Sequence, residues 1–128
     1  MKKIVWILFF GLFACKAQQA EYRKAEDALD AGREYINACL QGDFSKAAFY
    51  AVDDDTNNRI LKEIEKIYRE KDKEGRQQLR TASININEVK TLSDSSSSIQ
   101  YSNSFDKEPH IIQVVKRNDT WLVDLAQK

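Results

Sequence analysis

Several residue types that build functional sites are scarce in this chain of 128 residues. It has one histidine, two cysteines and four glycines, and its 20 lysines and arginines balance its 20 aspartates and glutamates. A zinc site needs three or four ligands, which one histidine and an isolated cysteine cannot supply. A balanced charge gives no electrostatic reason to expect nucleic acid as a partner. We therefore expect no metal, no cofactor and no nucleic-acid partner.

The first 15 residues resemble the signal peptide of a bacterial lipoprotein. A short positive end precedes the uncharged stretch 4–14, which is too short to cross a bilayer of roughly 30 Å as a helix. Leu12 and Ala14 stand three residues and one residue before Cys15, as an aliphatic and a small residue do in a lipobox. The resemblance implies that the Cys15 thiol takes a diacylglyceryl group as a thioether, and that palmitate or a similar acyl chain anchors the protein.

Two other fates of this segment stay open. The ordinary signal peptidase would cleave after Ala17, with Cys15 and Ala17 as its small residues, and would release a secreted protein. Alternatively, the segment would remain as an uncleaved anchor. The lipoprotein interpretation predicts a signal peptide at 1–14, a tether at 15–20 and a single domain at 21–128. It places the domain in the bacterial cell envelope, on a lipid-anchored membrane, facing the periplasm or the cell surface.

Three helices are predicted in the first half of the domain. Apolar residues at helical spacing indicate a helix at 21–40, and a short one follows at about 44–50. A third helix runs to about Lys73, where Glu74–Gly75 closes it. The pair Gly42–Asp43 suits a left-handed C-cap followed by an N-cap.

The pattern changes to alternation after Leu79, which predicts four strands. A change of phase between Ile86 and Val89 indicates a bulge or a strand end. The serine-rich stretch 93–97 predicts a turn, and 110–116, apolar on both faces, predicts a central strand. Helices followed by a meander of strands predict an α+β domain, with about three helices packed on a curved antiparallel sheet of about four strands.

Two segments resemble nuclear-transport-factor-2-like (cystatin-like) domains. Residues 38–47, ACLQGDFSKA, match a small helix end followed by Gly-Asp, an aromatic residue and Lys-Ala. Residues 114–124, VVKRNDTWLVD, match the closing hairpin, where Trp and then Val-Asp follow a turn. Together with the lipoprotein signal, this resembles a branch of uncharacterised envelope lipoproteins. The resemblance implies a cone-shaped fold whose mouth is a ligand pocket or active site in many relatives, which also often form homodimers through the sheet.

Three sequence features could provide a metal site or a catalytic group. Residues 53–58, DDDTNN, begin like a calcium loop, but Asn58 and Ile64 stand where glycine and glutamate are needed, so helix capping is favoured. His110 has no partner that the sequence identifies, and we expect it to be an exposed residue at a strand start. Cys39 lies in an apolar stripe and is interpreted as a small buried hydrophobe.

Aromatic residues are the candidates for lining a pocket, although such residues more often fill a core. We name Tyr35, Tyr101 and Trp121 as pocket-lining candidates and assign no catalytic residue. The favoured hypothesis is a membrane-anchored lipoprotein whose small domain binds a ligand or a protein. An enzyme acting on a small apolar molecule in the cone stays open, and predicts a buried carboxylate with a raised pKa in a pocket. An accessory of an envelope complex also stays open, and predicts an exposed apolar patch on the sheet.

Overall fold

The computed structural model of the protein describes residues 22–127, so the predicted signal peptide and Cys15 lie outside the described residues. Four helices come first, and they are α1 (Ala28–Gln41), α2 (Phe44–Phe49), α3 (Asp55–Glu70) and α4 (Lys73–Arg80). Four strands follow, and they are β1 (Ile84–Ser93), β2 (Ser96–Asn103), β3 (His110–Arg117) and β4 (Thr120–Asp124). The strands form one curved antiparallel sheet in the order β1-β2-β3-β4, which confirms the predicted α+β class and the central position of β3.

Helix α1 lies directly on the sheet because Gly32 has no side chain. A Cβ on residue 32 would stand 2.5 Å from Cδ1 of Ile99 on β2 and 3.3 Å from Cδ1 of Ile112 on β3. Ile99, Val114 and Val123 beneath the helices are fully buried. The core therefore lies between α1 and the inner face of the sheet.

The turn between α1 and α2 has the predicted caps. Gly42 adopts the left-handed conformation, with φ of 73°, and its backbone N–H bonds to the last turn of α1. The Asp43 carboxylate accepts from the backbone N–H of Lys46 at 3.1 Å and begins α2. The ring of Tyr68 on α3 lies against Gly42, where a Cβ would meet it at 2.6 Å. Glycine is thus needed at this position for both its φ and its size.

The outer edge of β4 is partly covered by the chain that leaves α2. The Val123 N–H donates to the Tyr50 carbonyl at 2.7 Å, and the Val52 N–H donates to the Val123 carbonyl at 2.9 Å. These bonds form a short parallel bridge between Ala51 and Val123. The edge of β1 on the other side of the sheet has no partner strand within residues 22–127.

The helix predicted at 21–40 begins only at Ala28, because the Asp27 carboxylate caps it by accepting from the Asp30 N–H at 2.7 Å. Two further details of the predicted elements are wrong. The segment 73–80, which the sequence assigned to a helix end and the approach to a strand, forms α4, and Gly75 lies inside it. Lys71 has an extended backbone, which ends α3 before α4 begins. The Asp72 carboxylate caps α4 by accepting from the Gly75 N–H at 2.7 Å. Helix α4 has one apolar residue and therefore no hydrophobic period to reveal it.

The second difference concerns the serine-rich turn. Ser96 and Ser97 belong to β2, and Ser97 is buried between neighbouring strands, so the turn itself is shorter than 93–97. Pairing with β1 and β3 overrides the weak strand preference of serine. The predicted bulge in β1 is confirmed, because the register with β2 shifts between Ile86 and Glu88.

Candidate functional site

Tyr35 and Tyr101, two of the three predicted pocket residues, lie together at one end of the inner sheet face. Tyr35 on α1 is 4% exposed and lies beside the Cys39 thiol, one helical turn further on. Tyr101 on β2 is half-buried and lies near Cys39. We call these three residues the tyrosine–thiol cluster.

Burial keeps the side chains of the tyrosine–thiol cluster protonated and therefore unreactive at neutral pH. It raises the pKa of the Cys39 thiol to about 11 and the pKa of Tyr101 to about 12. It also raises the pKa of Tyr35, and interaction with Cys39 adds to the effect. All three groups are therefore protonated at neutral pH, and Cys39 presents no thiolate for nucleophilic attack. Cys39 is half-buried and packs against the core, so it is a less buried hydrophobe than predicted.

The tyrosine–thiol cluster borders a pair that the sequence did not identify. The His110 ring stacks on Tyr101 with centroids 5.2 Å apart, and its Nε2 lies 2.8 Å from Oδ2 of Asp106. Burial acts against the Asp106 charge, but hydrogen bonds from the Glu108 N–H and from His110 prevail, and the pKa of Asp106 is lowered. The four-residue spacing of Asp106 and His110, across the turn before β3, was the available sequence signal.

Trp121, the third candidate, lies away from the tyrosine–thiol cluster. It pairs with Lys116 across the β3–β4 hairpin, and Nζ of Lys116 stands 5.9 Å from the indole centroid. His110 and Lys116 are six residues apart on β3, which is about 20 Å along a strand. The structure therefore brings Tyr35 and Tyr101 together and leaves Trp121 at the opposite end of the sheet.

Three surface grooves are lined by described residues, and none of the three contains a predicted pocket residue. The first, of about 480 Å³, runs between α2 and α3 past Phe44, Leu61 and Arg69. The second, of about 330 Å³, lies between α4 and the turn at Phe105. The third, of about 360 Å³, lies beside α1 at Arg33.

An apolar strip lies on the sheet face turned away from α1. Ile111 is 66% exposed, and Val115, two residues beyond Gln113 on the same face, pairs with Leu122 of β4. Val115 and Leu122 are half-buried. We call Ile111, Val115 and Leu122 the outer sheet strip. Ser98, Gln100 and Gln113 are its uncharged neighbours on β2 and β3, while Arg117 on β3 and Asp124 on β4 border it at the Val115–Leu122 end.

Comparison with known proteins identifies the fold. No family model and no curated protein matches this sequence. Among solved structures, an NTF-2-like protein of unknown function from Shewanella oneidensis MR-1 matches with a TM-score of 0.51 and 16% identity, over 74% of this chain and 89% of that chain. The domain has the NTF-2-like fold. The predicted resemblance is confirmed for the fold, and a likeness at this identity carries no function.

The buried carboxylate of the described NTF-2-like domain has a structural role. Asp124 is 3% exposed, and its Oδ1 accepts from Nδ2 of Asn57 at 3.1 Å and from the Ala126 N–H at 3.0 Å. Nη2 of Arg117 lies 3.5 Å from its Oδ2. These partners satisfy the carboxylate, and it lines none of the three grooves. Asp124 therefore differs from the pocket acid that the enzyme hypothesis predicts.

The acidic run of the NTF-2-like domain caps a helix. The Asp54 carboxylate accepts from the Asn57 N–H at 2.7 Å and begins α3. Within residues 22–127 there is no group of three or more histidine, cysteine, aspartate or glutamate side chains that could hold a metal ion. Nor does any helix in that range have the length and apolarity to cross a bilayer.

Proposed function

We propose that this protein is a bacterial lipoprotein, anchored in the cell envelope through Cys15, whose NTF-2-like domain binds another protein through the outer sheet strip. The lipobox-like segment in the sequence supports the anchor. The exposure of Ile111 carries the proposal for binding, since 66% of this large apolar residue is open to water. Burying such a side chain against a partner contributes about 1.5–3 kcal/mol.

The surroundings of Ile111 suit a protein interface. The centre of an interface is depleted in charged residues and surrounded by polar ones. Ile111 pairs across the strands with Gln100, and Gln113 separates it from Val115. Ile111 lies in none of the three grooves. An exposed apolar side chain outside a groove fits a protein surface better than it fits a small molecule, because small ligands bind in concave sites.

The protonation states of the groups on the inner face of the sheet favour protein binding on the outer face over an enzyme reaction inside the cone. Tyr35 occupies the inner space beside Cys39, and the protonated groups there offer no general base at neutral pH. Within residues 22–127 the carboxyl groups with shifted pKa values are Asp30, Asp54 and Asp106, and all three values are lowered. A lowered pKa keeps an acid ionised, whereas a general acid at neutral pH needs a raised one.

The anchor is tested by labelling cells of the native host with radioactive palmitate. We expect label on the wild-type protein and none on the Cys15→Ser variant. An unlabelled wild-type protein that is soluble and begins near Gln18 would contradict the anchor and indicate ordinary secretion.

The binding surface is tested separately, with a photo-crosslinking amino acid in place of Gln113 in intact membranes. We expect an adduct that disappears when Ile111→Arg is added. The matched control is Ile67→Arg on α3, where the native side chain is 57% exposed, and it should leave the adduct intact. An adduct of twice the monomer mass would identify a second copy as the partner. An adduct that survives Ile111→Arg would contradict the outer sheet strip as the binding surface.

A further inference from the structure

We infer that Tyr22 and Phe49 form a second surface, which rests on the headgroup region of the bilayer that holds the anchor. We call these two residues the tether patch. The inference depends on the proposed lipid at Cys15, and it adds an orientation of the domain on the membrane that the anchor alone does not give.

The tether patch is a fixed aromatic surface. The rings of Tyr22 and Phe49 are 5.4 Å apart, and the Phe49 ring meets the Tyr50 ring edge-on at 4.9 Å. Tyr50 is 2% exposed, and its hydroxyl donates to the Arg23 carbonyl, which holds the start of the described chain against α2. Phe49 nevertheless remains 43% exposed. An aromatic side chain is thus held at the surface where the chain enters the domain.

The length of chain before Tyr22 brings this surface to the membrane. Seven residue steps separate Cys15 from Tyr22, and they span at most about 25 Å even when fully extended. A domain of about 100 residues has a radius of gyration of about 13 Å, and so a diameter larger than this reach. Lipid at Cys15 therefore keeps Tyr22 away from the far side of the domain and leaves the tether patch within reach of the bilayer.

The charges beside the tether patch indicate that the contact is apolar. Arg23 pairs with Asp30 at 2.6 Å, and Lys46 pairs with Glu34 at 2.8 Å. These cations are balanced within the domain, so they add little attraction for anionic lipid. Tyrosine and phenylalanine rings instead suit the boundary between headgroups and acyl chains. We expect the contact to persist at high salt, which screens interactions between exposed charges.

A single tryptophan can report on this contact. Trp121 is the one tryptophan that remains after removal of the predicted signal peptide. A Trp121→Phe, Phe49→Trp protein would carry its reporter in the tether patch. The matched control is Trp121→Phe, Leu92→Trp, because Leu92 is 50% exposed and lies on β1, at the sheet edge opposite β4. Both lipidated proteins are placed in phosphatidylcholine–phosphatidylethanolamine vesicles that contain a doxyl-labelled lipid, with the doxyl group close to the headgroup.

We expect tryptophan at 49 to lose most of its emission in these vesicles, at low and high salt, and tryptophan at 92 to keep it. Equal emission from the two reporters on lipidated, vesicle-bound protein would overturn the tether patch and leave the anchor intact. An intact mass without lipid would overturn the anchor, and the tether patch with it.

A second measurement avoids the aromatic substitutions. In the wild-type lipidated protein on vesicles, amide hydrogen exchange in residues 44–52 should be slower than in the soluble Cys15→Ser protein. Equal exchange in that segment, with the lipid confirmed by mass, would contradict the tether patch.

Discussion

The side-chain amide of Asn57 joins the first turn of α3 to the end of β4. Its Nδ2 donates to Oδ1 of Asp124 at 3.1 Å, and its Oδ1 accepts from the Leu125 N–H at 2.6 Å. Asn57 is 1% exposed, so both bonds form away from water. They attach α3, whose other contacts are mainly with α2, directly to the sheet.

Replacing Asn57 with alanine should therefore destabilise the domain. The substitution removes a partner of the buried Asp124 carboxylate, and an unsatisfied buried polar group costs about 1–3 kcal/mol, or more when it is charged. Urea unfolding monitored by circular dichroism measures the loss. The matched control is Asn58→Ala, because the neighbouring Asn58 bonds only to Asp53 at an exposed position, and we expect a change within about 0.5 kcal/mol. Equal effects of the two substitutions would contradict the role given to Asn57.

Two glycines should respond in opposite ways to alanine. Gly42→Ala places a side chain at positive φ and 2.6 Å from the Tyr68 ring, and we expect it to lower the free energy of unfolding by about 1–3 kcal/mol. Gly75→Ala lies in the first turn of α4, where a Cβ would stand 3.0 Å from Oδ1 of the exposed Asp72 side chain, which is free to shift, and alanine is favoured by up to about 1 kcal/mol. Thermal unfolding of both variants tests this contrast. An unfolding midpoint that is lower for Gly75→Ala than for Gly42→Ala would refute it.

Asp54 should contribute to acid sensitivity. Hydrogen bonds from the backbone and side chain of Asn57 lower its pKa below the ordinary value of 3.8. The stabilisation is therefore fully present above pH 3.8 and is lost as the pH falls below that value. Asp54→Asn can still cap the helix but cannot titrate, so its unfolding midpoint should fall less steeply with acid. Asp54→Ala should be less stable at neutral pH as well, because it loses the cap.

Cys39 should react slowly with thiol reagents in the folded protein. Burial raises its pKa from 9.0 to about 11, which lowers the thiolate fraction at pH 8 about a hundredfold. In the Cys15→Ser protein, where Cys39 is the one thiol, Ellman's reagent should react at least that much faster in denaturing urea than in buffer. Similar rates in the two conditions would show that the thiol is accessible.

The sequence predicted the structure best where the role of a residue depends only on its neighbours in the chain. Gly42 and Asp43 predicted a C-cap and an N-cap, and both caps are present, because capping depends on neighbouring backbone groups. The change of phase between Ile86 and Val89 likewise predicted a bulge or a strand end, and the structure has the bulge. The alternation of strands and the order of elements were enough to predict the α+β class.

Features that depend on distant partners could not be predicted. Asn57 and Asp124 are 67 residues apart, and neither shows a local pattern that reveals their hydrogen bond. The same holds for the stacking of His110 on Tyr101, which the β2–β3 register creates. Tyr35 was predicted as a pocket-lining residue, and only the structure shows that it is buried beside Cys39.

The bridge between Ala51 and Val123 limits how copies of this sheet can combine. It occupies backbone groups on the outer side of β4, while β1 offers the remaining open edge within residues 22–127. Strand addition propagates only when a sheet has two receptive edges. Two molecules that join through β1 would each use the edge that has no partner strand, and the partial cover on β4 opposes the growth of such a pair into a fibre.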